Sequence, residues 1–178
     1  MSKIEIRLAG SGGQGIILAS VILAEAALLS GKHTAQSQSY GPEARGGSCK
    51  AETIVSDEPI GFTKVTEPSL IMALTQSSAD KYLRSVPSGC SVLVDESVSI
   101  DGEIDGKVYR LPILSTAKSE VRKAQTANIV AVAAINSILG IADEKTLEKA
   151  VLMHVPKGTE SVNIAALECG SRIAREAR

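Results

Sequence analysis

The chain has no tryptophan, one phenylalanine and three tyrosines among 178 residues. A core must then be built from Ala, Val, Ile and Leu, which carry most of the 44% hydrophobic content. So few aromatics leave no stacking platform for single-stranded nucleic acid. Cysteine is equally scarce: Cys49, Cys90 and Cys169 are widely spaced and odd in number. They form no CxxC and no zinc or iron–sulfur spacing, and unpaired thiols of this kind point to a reducing cytoplasm. Charges alternate through the opening "MSKIEIRLAG", so the start is not read as a signal peptide. The longest apolar run, Ile16 to Leu29, contains Glu25 and is too short to cross a bilayer.

Net charge is −1, which implies no polyanion partner. The charge is unevenly spread. Residues 1–50 hold five Lys or Arg against three acids, residues 51–105 three against ten, and residues 106–178 eleven against seven. The middle reads as a solvated acidic region, and a small anion would sit against the first or last third.

The length suits one domain, which buries roughly 70% of its unfolded surface at this size. "KIEIRLA" alternates, with Ile4, Ile6 and Leu8 on a dry face and Lys3, Glu5 and Arg7 on a face left to solvent or a partner. "IILASVILAEAALLSGK" reads as a helix buried nearly all round, ended at Gly31. "HTAQSQ" is a weak strand and "SCKAETIVSD" a half-buried one. "SLIMALT" and "SVLVD" are buried strands with helical "SSADKYLRSV" between them, and "EIDGKVYRLP" holds a further strand. Helices are expected over about 115–123, 126–139, 143–153 and 160–176. Alternating β and α elements give an α/β fold, a single domain over 1–178 with a three-layer, Rossmann-like sheet covered by helices.

Between the first strand and helix lies "GSGGQG", in which Gly10, Gly12 and Gly15 satisfy GxGxxG. Such glycines let the backbone turn tightly, and the helix start faces an anion with its free N–H groups. A dinucleotide site would place an acid about 20 residues on to hold a ribose; "HTAQSQS" has none, and no Arg stands between the motif and Arg45. Phosphate, carboxylate or a partner's backbone is expected here, or else a ligand-free turn. Ser11 in "AGSGG" approaches a nucleophile elbow, which would call on Asp95 or Asp143 and then His154 as a hydrolytic triad.

The second unusual segment is "SYGPEARGG", Ser39 to Gly47. Gly41 and Pro42 set a turn. Gly46 and Gly47 admit another backbone. The planar fork of Arg45 suits a carboxylate or phosphate, unless Glu43 holds it within the loop. Tyr40 offers a flat face with a polar tip. His33 and Cys49 are read as structural, Asp95 as a weak site candidate at the edge where α/β ligands gather, and Asn128 and Asn163 as buried amides that hold loops or meet a partner.

"AGSGGQG", "SYGPEARGG", "SDEPI", "TEPSLIMAL" and "TANIVAVAAINSILG", with the late Asn163, resemble the gamma subunit of the 2-oxoacid:ferredoxin oxidoreductases over most of the chain. These enzymes convert a 2-oxoacid, coenzyme A and oxidised ferredoxin into acyl-CoA, CO2 and reduced ferredoxin. The resemblance implies a Rossmann-like subunit with no catalytic residue and no tightly bound cofactor of its own. Coenzyme A would be a substrate of the complex. Thiamine diphosphate, magnesium and iron–sulfur clusters would lie on the other subunits, with alpha, beta and, where present, delta chains as partners and ferredoxin reached through the complex. Gly10, Gly12, Gly13, Gln14, Gly15 and Arg45 are carried over as the coenzyme A-facing set, and Ser39, Tyr40, Gly41, Pro42, Glu43, Arg45, Gly46 and Gly47 as the interface. The substrate leans to 2-oxoglutarate. An isolated chain would self-associate to hide its partner face. The alternatives are a freestanding phosphate-binding module and the hydrolase.

Overall fold

The computed structural model describes residues 3–40 and 47–177. Six strands form one mixed sheet in the order β2-β3-β1-β4-β5-β6: β1 Lys3–Ser11, β2 His33–Tyr40, β3 Ser48–Ser56, β4 Leu70–Ala73, β5 Ser91–Asp95 and β6 Val108–Leu111. β1, β4, β5 and β6 run parallel, while β3 is antiparallel to both β1 and β2. The carboxyl ends of five strands and the start of β3 therefore share one edge of the sheet. The chain leaves β1 to one side and returns on its other side at β4, so the strand order reverses beside β1, the place where α/β folds bind ligands.

The helices are α1 Ile16–Leu29, α2 Gln76–Tyr82, α3 Ile113–Ser119, α4 Ala127–Leu139, α5 Glu144–His154 and α6 Glu160–Glu176. They match the elements expected from hydrophobic period, with α3 beginning and ending earlier than anticipated. None of them is long and apolar enough to cross a membrane. Strand alternation assigns each core. Ile4, Ile6, Leu8, Leu70, Met72 and Leu93 face α1 and α4, whereas Ile71, Ala73, Val92 and Val94 face Ala79 of α2 and Leu83 at its end.

Two expectations need correction. The polar face of β1 is neither solvated nor open: Glu5 is 3% exposed and Arg7 half-buried. The segment 65–69 lies over them, and Arg7 Nε meets Glu52 Oε1 at 2.8 Å while donating through Nη2 to Val65 O. Lys50 Nζ reaches the same Glu52 oxygen at 3.1 Å, so β3 is buried on both faces rather than half-buried. β1 is a central strand, and its charges are tolerated because each finds an opposite charge or an amide. The second correction concerns α1. It is apolar apart from Ser20 and Glu25, yet its outward flank is only half-buried and its last residues are bare, Leu28 at 56% and Leu29 at 36% exposure.

Candidate functional site

Ser11 ends β1, and the chain turns through Gly12 to Gly15 into α1. Gly15 is the N-cap at φ 71°, a left-handed conformation that L side chains rarely adopt. No side chain caps this end, and no acid stands in the first turn. The first intrahelical bond runs from Ala19 N to Gly15 O, leaving the amides before it open to an acceptor. Gly12 and Gly13 are exposed, and a Cβ on Gly13 would meet nothing within 4 Å. The turn thus presents main-chain donors across open space, which is the geometry an anion needs.

The second glycine segment comes to it. Gly12 N donates to Gly47 O at 2.9 Å, and Ser11 faces Ser48 as the last pair of the β1–β3 ladder. The end of the "SYGPEARGG" stretch is thereby bonded to the glycine-rich turn. Ser39 and Tyr40 end β2 on the same edge of the sheet, opposite Lys50 and Cys49. Gly41, Pro42, Glu43, Arg45 and Gly46, and the side chain of Tyr40, lie outside the described residues.

Gln14 is held in the turn by its own side chain. Its Oε1 accepts from Ser11 N at 2.8 Å, closing the turn from inside, and a Cβ on Gly10 would fall 2.5 Å from that oxygen. Both residues shape the turn. A residue that sequence reasoning passed over is Lys81, in the last turn of α2. Its Nζ reaches Ser48 Oγ at 3.5 Å, an exposed cation beside the join of the two glycine segments. A lysine there reads in sequence as a complement to the helix dipole, so only the fold reveals its neighbour.

Behind the turn, Asn128 is 4% exposed and donates through Nδ2 to Gly15 O at 3.5 Å. Asn163 donates to Thr159 O at 2.8 Å and to Thr159 Oγ1 at 3.0 Å, holding the start of α6. Both amides line a cavity of about 200 Å³ beside Leu18. They are buried and bonded to loops, as anticipated.

The hydrolytic triad is not assembled. His154 Nε2 lies 3.6 Å from Glu25 Oε2, and Glu25 stands ten residues beyond Gly15, about 15 Å along α1 from the turn. Asp95 is spent on Ser97 and on the amide of Leu114, and Asp143 caps α5 by accepting from Thr146 N. Cys49 is buried, and burial pushes its thiol up, away from the reactive thiolate. Among the described residues no cluster of His, Cys, Asp or Glu could hold a metal ion.

Gly15 offers a direct test of the turn. A Cβ there would lie 2.5 Å from Asn128 Nδ2, at a backbone angle already unfavourable. Gly15→Ala is expected to cost about 1–3 kcal/mol, lowering Tm by roughly 2–10 °C in a domain of this size. An unchanged melting curve would show that the turn relaxes freely.

Comparison with known proteins agrees with this architecture. The pyruvate ferredoxin/flavodoxin oxidoreductase family model matches residues 5–173. The chain is 47% identical over 176 residues to the 2-oxoglutarate synthase subunit KorC of Methanocaldococcus jannaschii, covering 97% of this chain and 94% of that protein. It superimposes on the gamma subunit of a keto/oxoacid ferredoxin oxidoreductase from Geobacter sulfurreducens with a TM-score of 0.86 and 40% identity, over 98% of this chain and 99% of that one. A 2-oxoglutarate:ferredoxin oxidoreductase from Magnetococcus marinus, solved with 2-oxoglutarate, coenzyme A and succinyl-CoA bound, also superimposes with a TM-score of 0.86. That match covers all of this chain and 32% of that one, and at 22% identity it speaks to the fold alone. A strand–glycine turn–helix unit joined to a second glycine segment, on a sheet shared along its whole length with such relatives, places this chain in the pyruvate ferredoxin/flavodoxin oxidoreductase family, as a gamma-type chain.

Proposed function

We propose that this chain is the gamma subunit of a 2-oxoglutarate:ferredoxin oxidoreductase and that its glycine-rich edge faces coenzyme A. The enzyme releases CO2 from the 2-oxoacid, joins the remaining acyl group to the thiol of coenzyme A and passes the electrons to ferredoxin. Thiamine diphosphate and iron–sulfur clusters on the other subunits supply that chemistry. This chain contributes binding. The open amides of Gly13 and of the α1 start, with the guanidinium of Arg45, hold a phosphate of the coenzyme, while Gly12 ties the turn to Gly47 and Lys81 adds a second cation. Gly10 and Gln14 keep the turn in shape, and the segment from Ser39 to Gly47 meets the alpha subunit.

The observation that supports this site is the hydrogen bond from Gly12 N to Gly47 O, because it brings two segments far apart in sequence to one edge. The lean to 2-oxoglutarate rests on the 47% identity to the Methanocaldococcus subunit. Pull-down from native cells is expected to recover larger subunits with iron–sulfur absorbance, and the recovered complex should turn over 2-oxoglutarate with a higher kcat/KM than pyruvate. In that complex Arg45→Ala should raise KM for coenzyme A by about ten- to a hundredfold, the worth of a hydrogen bond between charged groups, and leave kcat near normal. Unchanged KM together with intact assembly would remove Arg45 from the site.

A further inference from the structure

The two edges of the sheet are built differently. β6 has four residues, Val108–Leu111, and carries Arg110, so it is short and charged in the way that keeps an edge from pairing. β2 has eight residues, HTAQSQSY, with no Lys, Arg, Asp, Glu or Pro. Its inner side pairs with β3 in unbroken register from His33 to Tyr40. Its outer side pairs with no strand among the described residues. There Gln36 Nε2 turns back on its own strand, donating to Ser37 O at 3.3 Å and to Gln38 Oε1 at 3.4 Å.

A second surface lies beside this edge. α1 packs over β2 and β3. Glu25 turns toward α5 to meet His154, and Leu18 toward the cavity between α4 and α6. The opposite flank of α1 carries Ile17, Val21, Ala24 and Leu28, a helical spacing that sets them in one stripe on the β2 side. Ile17 and Val21 are only half-buried, and Leu28 is 56% exposed. In this chain an apolar stripe and an unprotected strand edge run side by side, and neither carries a charge.

We propose that β2 and the outward flank of α1 form a two-fold interface with a second copy of this chain. An antiparallel β2–β2 pair about an axis normal to the sheet sets both α1 helices on the same face, with their stripes facing each other. Such a surface complements itself: a strand edge offers alternating donors and acceptors to its own image, and an uncharged stripe meets an uncharged stripe. The edge is roughly 27 Å long and the sheet-plus-helix height roughly 20 Å, so about 1,000 Å² is buried in total, enough for a specific dimer. The apolar outward face of α1, unexplained in one copy, is then covered. The pair takes in Ser39 and Tyr40, so it is a dimer of the isolated chain and gives way where those two residues meet the alpha subunit.

Sedimentation equilibrium of the isolated full chain should give a dimer at ~100 µM. Leu28→Asp sets an unpaired carboxylate in each stripe and should weaken the dimer at least ~100-fold, while Val21→Asp does the same from two turns earlier. Leu28 is exposed, so the Leu28→Asp monomer should keep the circular dichroism spectrum of the parent. A wild-type chain that stays monomeric at that concentration overturns the proposal and leaves the face to another subunit. A dimer indifferent to Leu28→Asp overturns it as well, by placing the contact elsewhere.

Discussion

Replacing Gly170 with alanine should lower Tm by about 4–8 °C, although alanine is the better helix former. Gly170 lies inside α6, where it packs against α4. A Cβ there would fall on the carbonyl oxygen of Val130 and 2.8 Å from the Cβ of Ala133. Two opposing effects can be weighed. Glycine to alanine in a helix gains up to about 1 kcal/mol through propensity. Forcing a methyl into a close-packed contact costs about 1–3 kcal/mol, and the upper end applies because a main-chain oxygen is the obstacle and cannot rotate away. The net loss is about 2 kcal/mol, which sets the shift in Tm. The consequence reaches the functional edge, because α4 begins with Asn128 beside Gly15 and α6 begins near Asn163. Differential scanning calorimetry of the isolated chain decides it: a Tm equal to or above the parent value would mean that α4 and α6 move apart at no cost to admit the methyl.

Most elements were legible because the core is aliphatic and its period unmistakable. β4 and β5 are short apolar runs buried on both faces, and α4 is apolar from Ile129 to Ile135. What the sequence hid was contact between distant residues. "KIEIRLA" alternates as a half-exposed strand does, yet Glu5 and Arg7 are covered by the segment 65–69 and by Glu52, partners some 45 to 62 positions away. The same limit held at the site. The glycine-rich turn was readable by itself, because so many small residues at a strand end have little other use. Its bond to Gly47 was not, since the residues say only that Gly46 and Gly47 admit another backbone. The bond from the Ser11 amide to the Gln14 side chain was equally hidden, since a glutamine in a glycine-rich turn has no fixed partner in sequence. The closeness of α4 and α6 did leave a signal, in Ala166, Gly170 and Ala174 at spacings of four, the mark of helices that approach through small residues.

Glu5→Ala should destabilise the chain by about 3 kcal/mol, and Glu5→Gln by about 1–2 kcal/mol. The Glu5 carboxylate accepts from Thr66 N at 2.6 Å and Glu67 N at 2.9 Å and pairs with Lys3, while Ser69 N donates to its carbonyl at 2.7 Å. One side chain thus pins the segment entering β4 across the centre of the sheet. Alanine leaves two amides and a cation without their acceptor; glutamine keeps one oxygen and loses the charge. Burial by itself would raise the carboxyl, but the Lys3 bond and the amides of Glu67 and Thr66 outweigh it and hold the group below its ordinary 4.5. A group lowered on folding contributes stability above its unfolded value and loses it as pH falls through the folded one. The gap between parent and Glu5→Gln should therefore be widest near neutral pH, begin to close below about 4.5 and shrink further as Glu5 takes up its proton. Urea unfolding of both proteins across that range measures the gap. A difference that stays constant down to acid pH would mean that the carboxylate's charge plays no part, and that packing alone holds the segment on β1.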